Sequence, residues 1–234
     1  MSKKFKVVTV LGTRPEIIKM SSLLKLLDYY TNHIIVHTGQ NYDYELNSVF
    51  FSDLELREPD YFLETGGKSF IPTIANILTK IENVLKEVKP DALVVYGDTN
   101  SCLSVYVAKR MQIPIFHLEA GNRCFDFRVP EEINRRIVDH LSDVNFVLSE
   151  QARQNLLSEG LSASRIFNVG SNMYEVIGQL QEKITKSSIH KELDITEPYY
   201  LISIHREENV EKSEHFESLV QNINNLVVET NTYA

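Results

Sequence analysis

The sequence predicts an α/β protein whose parallel sheet is covered by helices on both faces. Short apolar runs rich in β-branched residues alternate along the chain with longer segments in which apolar residues recur at helical spacing. Several of the short runs end at a glycine, as buried strands often do before a turn. This repeated strand–helix alternation is typical of a parallel sheet built from successive crossovers.

Six strands are expected in the first part of the chain, and helices separate most of them. Pro15 suits the first turn of the first helix, because its missing N–H costs nothing there. A longer helix is expected from about residue 69 to residue 89, with one apolar face. Further helices are expected from about residue 100 to 111 and from near Pro130. The predicted strands are residues 6–11, 33–37, 91–97, 114–118, 144–148 and 165–169.

The chain divides into one full domain and part of another. Residues 1–180 are predicted to form the first domain, and the polar segment 181–198, which contains Ser187 and Ser188 and ends at Pro198, is interpreted as a hinge. Residues 199–234 then offer one strand, predicted at 199–204, and one helix from about residue 213. Because a parallel sheet cannot be built from one strand, the second domain is expected to be incomplete.

The amino-acid composition limits the kinds of partner that the protein is expected to bind. The net charge of −8 is spread along the chain without a basic stripe, which argues against nucleic acid binding. Cys102 and Cys124 show no C-x-x-C spacing and do not make a disulfide framework. No apolar stretch approaches the roughly 20 residues that span a bilayer, and no signal-peptide core follows the N-terminus. These features predict a cytoplasmic protein without a membrane partner.

Ionisable residues follow four of the predicted strands. Ligands of open parallel sheets bind outside the carboxyl ends of the strands, so these residues would converge on one rim. The first strand is followed by Arg14 and Lys19, the third by Asp98, the fourth by Glu119 and Arg123, and the restarted strand by His205.

Each of these features also has a purely structural interpretation. The turn at Gly12 is compatible with an ordinary connection, since G-x-G-x-x-G and P-loop signatures are missing. Asp98 is suitably placed to cap the next helix, and His205 could be a structural histidine. The i,i+4 pairs Glu131/Arg135 and Glu132/Arg136 are typical of a surface salt-bridge ladder. The functional alternative places Glu131, in the first helical turn, at the cleft, where paired carboxylates could share acid and base work.

Taken together, five segments resemble the non-hydrolysing UDP-N-acetylglucosamine 2-epimerase family across essentially the whole chain. The order and spacing of the segments carry the resemblance. They are Gly12-Thr13-Arg14-Pro15-Glu16-Ile17-Ile18-Lys19-Met20, Gly97-Asp98-Thr99, His117-Leu118-Glu119-Ala120-Gly121-Asn122-Arg123, Pro130-Glu131-Glu132-Ile133-Asn134-Arg135 and His205-Arg206-Glu207-Glu208-Asn209.

The resemblance implies two Rossmann-like domains facing a cleft, as in glycosyltransferases of the B type. It implies elimination of UDP across C1–C2 of a UDP-N-acetylhexosamine and re-addition with inverted C2, with neither nicotinamide nor metal. Asp98, Glu119 and Glu131 would be the acid–base carboxylates, while Lys19, Arg14 and His205 would hold or neutralise the diphosphate. The remaining substrate-binding and diphosphate-binding residues would be Gly12, Thr13, Arg123, Arg135 and Arg206.

Within the family, three segments resemble the branch that forms UDP-N-acetyl-L-fucosamine from UDP-2-acetamido-2,6-dideoxy-L-talose, which serves capsule and O-antigen synthesis. They are residues 37–47, 121–126 and 205–209. The branch that converts UDP-N-acetylglucosamine to UDP-N-acetylmannosamine typically carries Gln-His-Arg-Glu where this chain has Gln40-Asn41-Tyr42-Asp43. The resemblance also suggests a homodimer. Because family members continue well past residue 234, the chain is expected to be C-terminally truncated and weakly active or inactive alone. The open alternatives are a glycosyltransferase of the same architecture, a hydrolysing relative that releases free N-acetylmannosamine, and an inactive fragment.

Overall fold

Seven parallel strands form a single sheet in the computed structural model, which describes residues 4–39, 44–67, 69–203, 213–230 and 232. The strands are β1 Lys6–Leu11, β2 Asn32–His37, β3 Tyr61–Phe62, β4 Ala92–Tyr96, β5 Ile115–Ala120, β6 Val144–Val147 and β7 Ile166–Asn168. Their order across the sheet is β3-β2-β1-β4-β5-β6-β7. The predicted α/β class with a parallel, Rossmann-like sheet is confirmed.

Helices connect the strands. They are α1 Arg14–Tyr30, α2 Tyr44–Asp53, α3 Phe70–Val88, α4 Val105–Arg110, α5 Pro130–Leu141, α6 Glu150–Ser158, α7 Met173–Thr185, α8 Ile189–Glu192 and α9 Ser213–Thr230. Two 3₁₀ turns, Asn100–Ser104 and Ala163–Arg165, precede α4 and β7. None of the helices in the described part of the chain is long and apolar enough to cross a membrane.

The central strands form the core because both of their faces are covered. In β1 and β4 nearly every side chain is buried, which explains the continuous Val- and Leu-rich runs in their sequences. The helix α3 packs a stripe of fully buried residues, Ile77, Ile81 and Leu85, against this sheet. It ends where Lys89 adopts a left-handed conformation with φ of 50°.

The strand order reverses beside β1, and this reversal positions the site. The chain leaves β1 towards β2 and β3 on one side and then crosses to β4 on the other side. The turns after β1 and β4 therefore diverge at the carboxyl edge of the sheet, which opens a crevice there.

The described chain separates into two compact units, Met1–Gln179 and Leu180–Ala234. The first unit contains the sheet. In the second unit no side chain described within 180–203 and 216–230 is buried.

The strand predicted at 199–204 is not found in its described part, residues 199–203, where Tyr199 is an isolated bridge residue. Strand propensity alone does not make a strand, because an isolated extended segment needs neighbours with which to share its backbone hydrogen bonds. The helix expected from about residue 213 is present as α9.

Candidate functional site

The turn after β1 passes through a space that only glycine can occupy. A Cβ atom at Gly12 would lie 2.0 Å from the Thr38 hydroxyl oxygen and 2.2 Å from the Ser101 hydroxyl oxygen. These two hydroxyls hydrogen-bond to each other over a distance of 2.8 Å. Gly12 therefore lets the ends of β1 and β2 and the turn after β4 approach one another closely.

Glu16 joins the turn after β1 to the turn after β4. Its buried carboxylate accepts hydrogen bonds from the backbone N–H groups of Gly12 and Thr13, both at 2.8 Å, and from the Thr99 hydroxyl at 2.7 Å. Burial raises the pKa of Glu16, and the hydrogen bonds from Thr99, Gly12 and Thr13 oppose that shift. Glu16 was identified from the sequence only as part of a motif, yet its side chain holds both turns in place.

Arg14 is the exposed cation of this turn. It occupies the first position of α1, and none of the residues that the structure describes forms an ion pair with it. The side chain is therefore available to an anion at the N-terminal end of a 17-residue helix.

Lys19 and Glu119 form an ion pair across the crevice. The Lys19 Nζ atom lies 2.7 Å from Glu119 Oε2, and both side chains are partly exposed, at 32% and 17%. Glu119 has a φ of 63°, a left-handed conformation that is uncommon for a residue other than glycine. The register between β5 and β6 shifts between Leu118 and Ala120, so an irregularity in the strand directs Glu119 towards Lys19.

Two further side chains flank this pair. The ring of Tyr96, at the end of β4, lies beneath the ammonium group, with Lys19 Nζ 5.3 Å from its centroid. The Tyr96 hydroxyl donates to Asn172 Oδ1 at 3.0 Å. Neither Tyr96 nor Asn172 was identified from the sequence.

Asp98 lies beside the pair and is held by Arg135. The distance between Arg135 Nη2 and Asp98 Oδ2 is 2.7 Å. Burial raises the pKa of Asp98 and outweighs the opposing effect of Arg135, and the negative charges of Glu119 and Glu131 raise it further. Glu119 and Glu131 therefore lie near enough to Asp98 to raise its pKa, and the structure brings these three predicted residues together.

The salt-bridge ladder expected on α5 forms only in part. Glu132 is buried and pairs with Arg136 at 2.9 Å, as its spacing predicts. Glu131 is exposed, and Arg135 pairs instead with Asp98 and, at 3.3 Å, with Glu132. The i,i+4 rule is overridden here because Arg135 reaches a carboxylate from another strand end.

Arg123 was predicted to bind the diphosphate, but the structure places it inside the protein. Its side chain has no exposed surface. Two of its nitrogens donate to the Glu159 carboxylate at 2.8 and 2.7 Å, and a third donates to Asp139 at 2.7 Å. With its donors occupied in this way, Arg123 supports the loop after β5 and does not face the crevice.

The same buried network reaches the loops that carry Asp98 and Glu119. Asp139 accepts hydrogen bonds from the N–H of Gly121, two residues after Glu119. His117 Nε2 lies 2.8 Å from the carbonyl oxygen of Gly97, so this nitrogen must carry the proton. His117 Nδ1 is 2.9 Å from Asp139 Oδ1, at an angle that does not make a hydrogen bond.

Two of the remaining predicted residues, His205 and Arg206, lie outside the described residues. Residues 40–43, at which the two family branches differ in sequence, also lie outside them. Thr13 lies in the turn and is partly exposed. The described residues contain no cluster of three or more histidine, cysteine, aspartate or glutamate side chains suited to a metal.

Comparison with known proteins identifies the family of this chain. The UDP-N-acetylglucosamine 2-epimerase family profile matches residues 27–233. The chain belongs to this family. It is 41% identical over 230 residues to a UDP-N-acetylglucosamine 2-epimerase homolog of Methanococcus maripaludis, an alignment that covers 97% of this chain and 63% of the relative.

Solved structures of epimerases share the fold. The UDP-N-acetylglucosamine 2-epimerase of Rickettsia bellii matches with a TM-score of 0.90 and 50% identity, covering 98% of this chain and 60% of the other. The Methanocaldococcus jannaschii UDP-GlcNAc 2-epimerase, in complex with UDP-GlcNAc and UDP, matches with a TM-score of 0.91 and 35% identity. The match covers 98% of this chain and 65% of the other. The chain thus spans less than two thirds of the length of these epimerases.

Proposed function

We propose that this protein inverts C2 of a UDP-2-acetamido sugar by eliminating UDP across C1–C2 and adding it back. The observation that carries the proposal is the cluster of Asp98, Glu119 and Glu131 at adjacent strand and helix ends, with Lys19 bound to Glu119. Membership of the epimerase family supports the same reaction.

The chemistry requires proton transfer on both faces of the sugar ring. One carboxylate removes the proton from C2, the C1–O bond breaks, and UDP leaves with the bonding electrons. A proton then returns to C2 from the opposite face while the UDP oxygen re-forms the bond to C1. Side chains positioned around the ring can carry both proton transfers, provided that one of them holds a proton.

Asp98 is the best candidate for the residue that holds the proton. Burial and the neighbouring carboxylates Glu119 and Glu131 raise its pKa, which favours the neutral acid relative to an ordinary aspartate. Lys19 Nζ lies 2.7 Å from Glu119 Oε2, and this ion pair makes Glu119 the better candidate for the base. The assignment of Asp98 as acid and Glu119 as base therefore follows from the surroundings of the two side chains.

Departure of UDP places negative charge on the diphosphate. Arg14 is exposed at the start of α1, where the first backbone N–H groups and the helix dipole also favour an anion. A preorganised cation at the leaving group lowers the cost of that charge. We therefore assign the diphosphate to the turn after β1.

The experiment is proton NMR of the purified chain in D₂O with UDP-GlcNAc and with UDP-2-acetamido-2,6-dideoxy-L-talose, without added NAD or metal. Deuterium at C2 together with the epimer would support the proposal and identify the sugar. Asp98→Asn, Glu119→Gln and Glu131→Gln should each slow exchange, by about 10²- to 10⁴-fold for the residues that transfer the proton. Glu58→Gln, an exposed carboxylate outside the cluster, is the matched control and should not change the rate.

Other outcomes would replace the proposal. Transfer of the sugar to an added acceptor would indicate a glycosyltransferase, and release of free N-acetylmannosamine with UDP would indicate a hydrolysing enzyme. Absence of exchange and of nucleotide-sugar binding, with the protein folded, would refute epimerase activity for this chain. The homodimer suggested by the resemblance is tested by light scattering, and the role in capsule or O-antigen synthesis by loss of the polysaccharide on deletion of the gene.

A further inference from the structure

Beyond the charged residues, the crevice contains a neutral side chain that contacts Lys19 of the ion pair. Tyr96 ends β4 and is almost fully buried. The centroid of its ring lies 5.3 Å from Lys19 Nζ. Burial and the negative charge of Glu119 raise the pKa of Tyr96, so its hydroxyl stays neutral. Tyr96 therefore contacts the ammonium group of Lys19 through the face of its ring.

Asn172 fixes the direction of the hydroxyl. It lies just before α7, and its Nδ2 donates to the backbone carbonyl oxygen of Lys19. A carbonyl oxygen only accepts, so the amide orientation is determined and Oδ1 must face Tyr96. The Tyr96 hydroxyl therefore donates its proton to Asn172 Oδ1, at 3.0 Å.

These contacts hold Lys19 at two points. Asn172 binds its backbone carbonyl oxygen, and the Tyr96 ring lies beside its ammonium group. The three chain segments that carry Lys19, Tyr96 and Asn172 are thereby joined beside the ion pair without any additional charge.

We propose that Tyr96, braced by Asn172, is a positioning residue that sets the geometry of the Lys19–Glu119 pair. Its catalytic consequence rests on the proposed epimerase function. Removal of one neutral hydrogen bond is expected to lower kcat by about three- to tenfold, because such bonds contribute a free energy that corresponds to a factor of this size. KM should not change, since Tyr96 acts through the pair rather than through the ground-state substrate.

The test compares Tyr96→Phe, Asn172→Ala and the double variant with Tyr29→Phe, whose hydroxyl is lost at an exposed position at the end of α1. The first readout needs no activity. Chemical shifts of the lysine ε-CH₂ groups are recorded with ¹³C-labelled lysine, and Lys19 is assigned with Lys19→Arg. We expect the Lys19 signal to move in Tyr96→Phe and in Asn172→Ala and to stay in place in Tyr29→Phe.

The second readout is C2 exchange at saturating and limiting sugar. We expect kcat to fall in both single variants, and the double variant to lose little more than either one, because the two groups act as a unit. An unchanged Lys19 signal in Tyr96→Phe would overturn the proposal, as would an unchanged kcat or fully additive losses. If the wild-type chain turns over neither sugar, that result counts against epimerase activity of this chain only, and the Lys19 signal still decides whether Tyr96 positions the pair.

Discussion

Replacement of Arg123 by methionine distinguishes a structural role for this residue from the ligand-binding role that the sequence predicts. Methionine keeps much of the side-chain volume and removes the guanidinium, which donates to Asp139 and, through two nitrogens, to Glu159. Glu159 retains Arg136 at 3.0 Å and His140 at 3.1 Å and is partly exposed. The main cost therefore arises at Asp139, which has no exposed surface.

The expected loss of stability is large because a buried charge loses its partner. Breaking a buried ion pair by removing one member costs about 3–5 kcal/mol. For a folded unit of this size, 1 kcal/mol corresponds to about 2–4 °C in Tm, so the variant should melt about 6–20 °C lower. The assay is thermal unfolding at pH 7 followed by circular dichroism.

Arg153→Met is the matched control. Arg153 pairs with Glu150 at 3.2 Å on the surface, where the two side chains are 30% and 59% exposed. Such a pair contributes less than about 1 kcal/mol, so Tm should change by no more than about 4 °C. If Arg123→Met melts like this control and instead loses affinity for UDP, the buried network does not hold the loop, and the sequence-based assignment to the diphosphate is restored.

Two further predictions concern stability. Gly12→Ala should lower the free energy of unfolding by about 1–3 kcal/mol, because its Cβ would meet two hydroxyl oxygens at 2.0 and 2.2 Å. The control is Gly178→Ala, in a helix with open space around it, which should be neutral or stabilising. Equal melting temperatures for the two variants would contradict the close approach at Gly12. The hydrogen bonds from Arg123 lower the pKa of Glu159 to about 2. The ionised Glu159 side chain therefore stabilises the fold fully above the pKa of glutamate in the unfolded chain, about 4.3, and this stabilisation is lost as the pH falls towards 2. Glu159→Gln should therefore have a flatter acid denaturation curve over that window, and a curve parallel to that of the wild type would refute the shift.

The fold could be predicted where one local signal decided the structure. The strand at residues 6–11 and the helix near 69–89 were predicted within a residue or two, because β-branched runs and a single apolar face are strong signals. β3 has only two residues and gives no such signal. The predicted strand at 199–204 was wrong over its described residues, because propensity cannot supply a neighbouring strand.

The convergence of Lys19, Asp98 and Glu119 could also be predicted, because the carboxyl ends of parallel strands meet at one edge of the sheet. The partners of individual side chains could not. Arg123 pairs with Glu159, 36 residues away, and Arg135 pairs with Asp98 on another element. No local pattern reports such pairs, so a motif arginine was predicted to bind ligand although it is buried, and a helix-spaced pair was predicted where a tertiary one forms.

Glu119 shows why the finer geometry is beyond local patterns. A left-handed φ of 63° in a glutamate costs of the order of 1–3 kcal/mol, and no propensity predicts it. The conformation persists because the surroundings hold it from several sides: Asp139 binds the N–H of Gly121, Lys19 binds the carboxylate, and the Tyr96 ring contacts Lys19. An ordinary strand conformation at residue 119 would turn the carboxylate away from Lys19, since successive strand residues alternate between faces. The strained backbone of residue 119 and the side chains that maintain it therefore both keep the Glu119 carboxylate directed into the crevice.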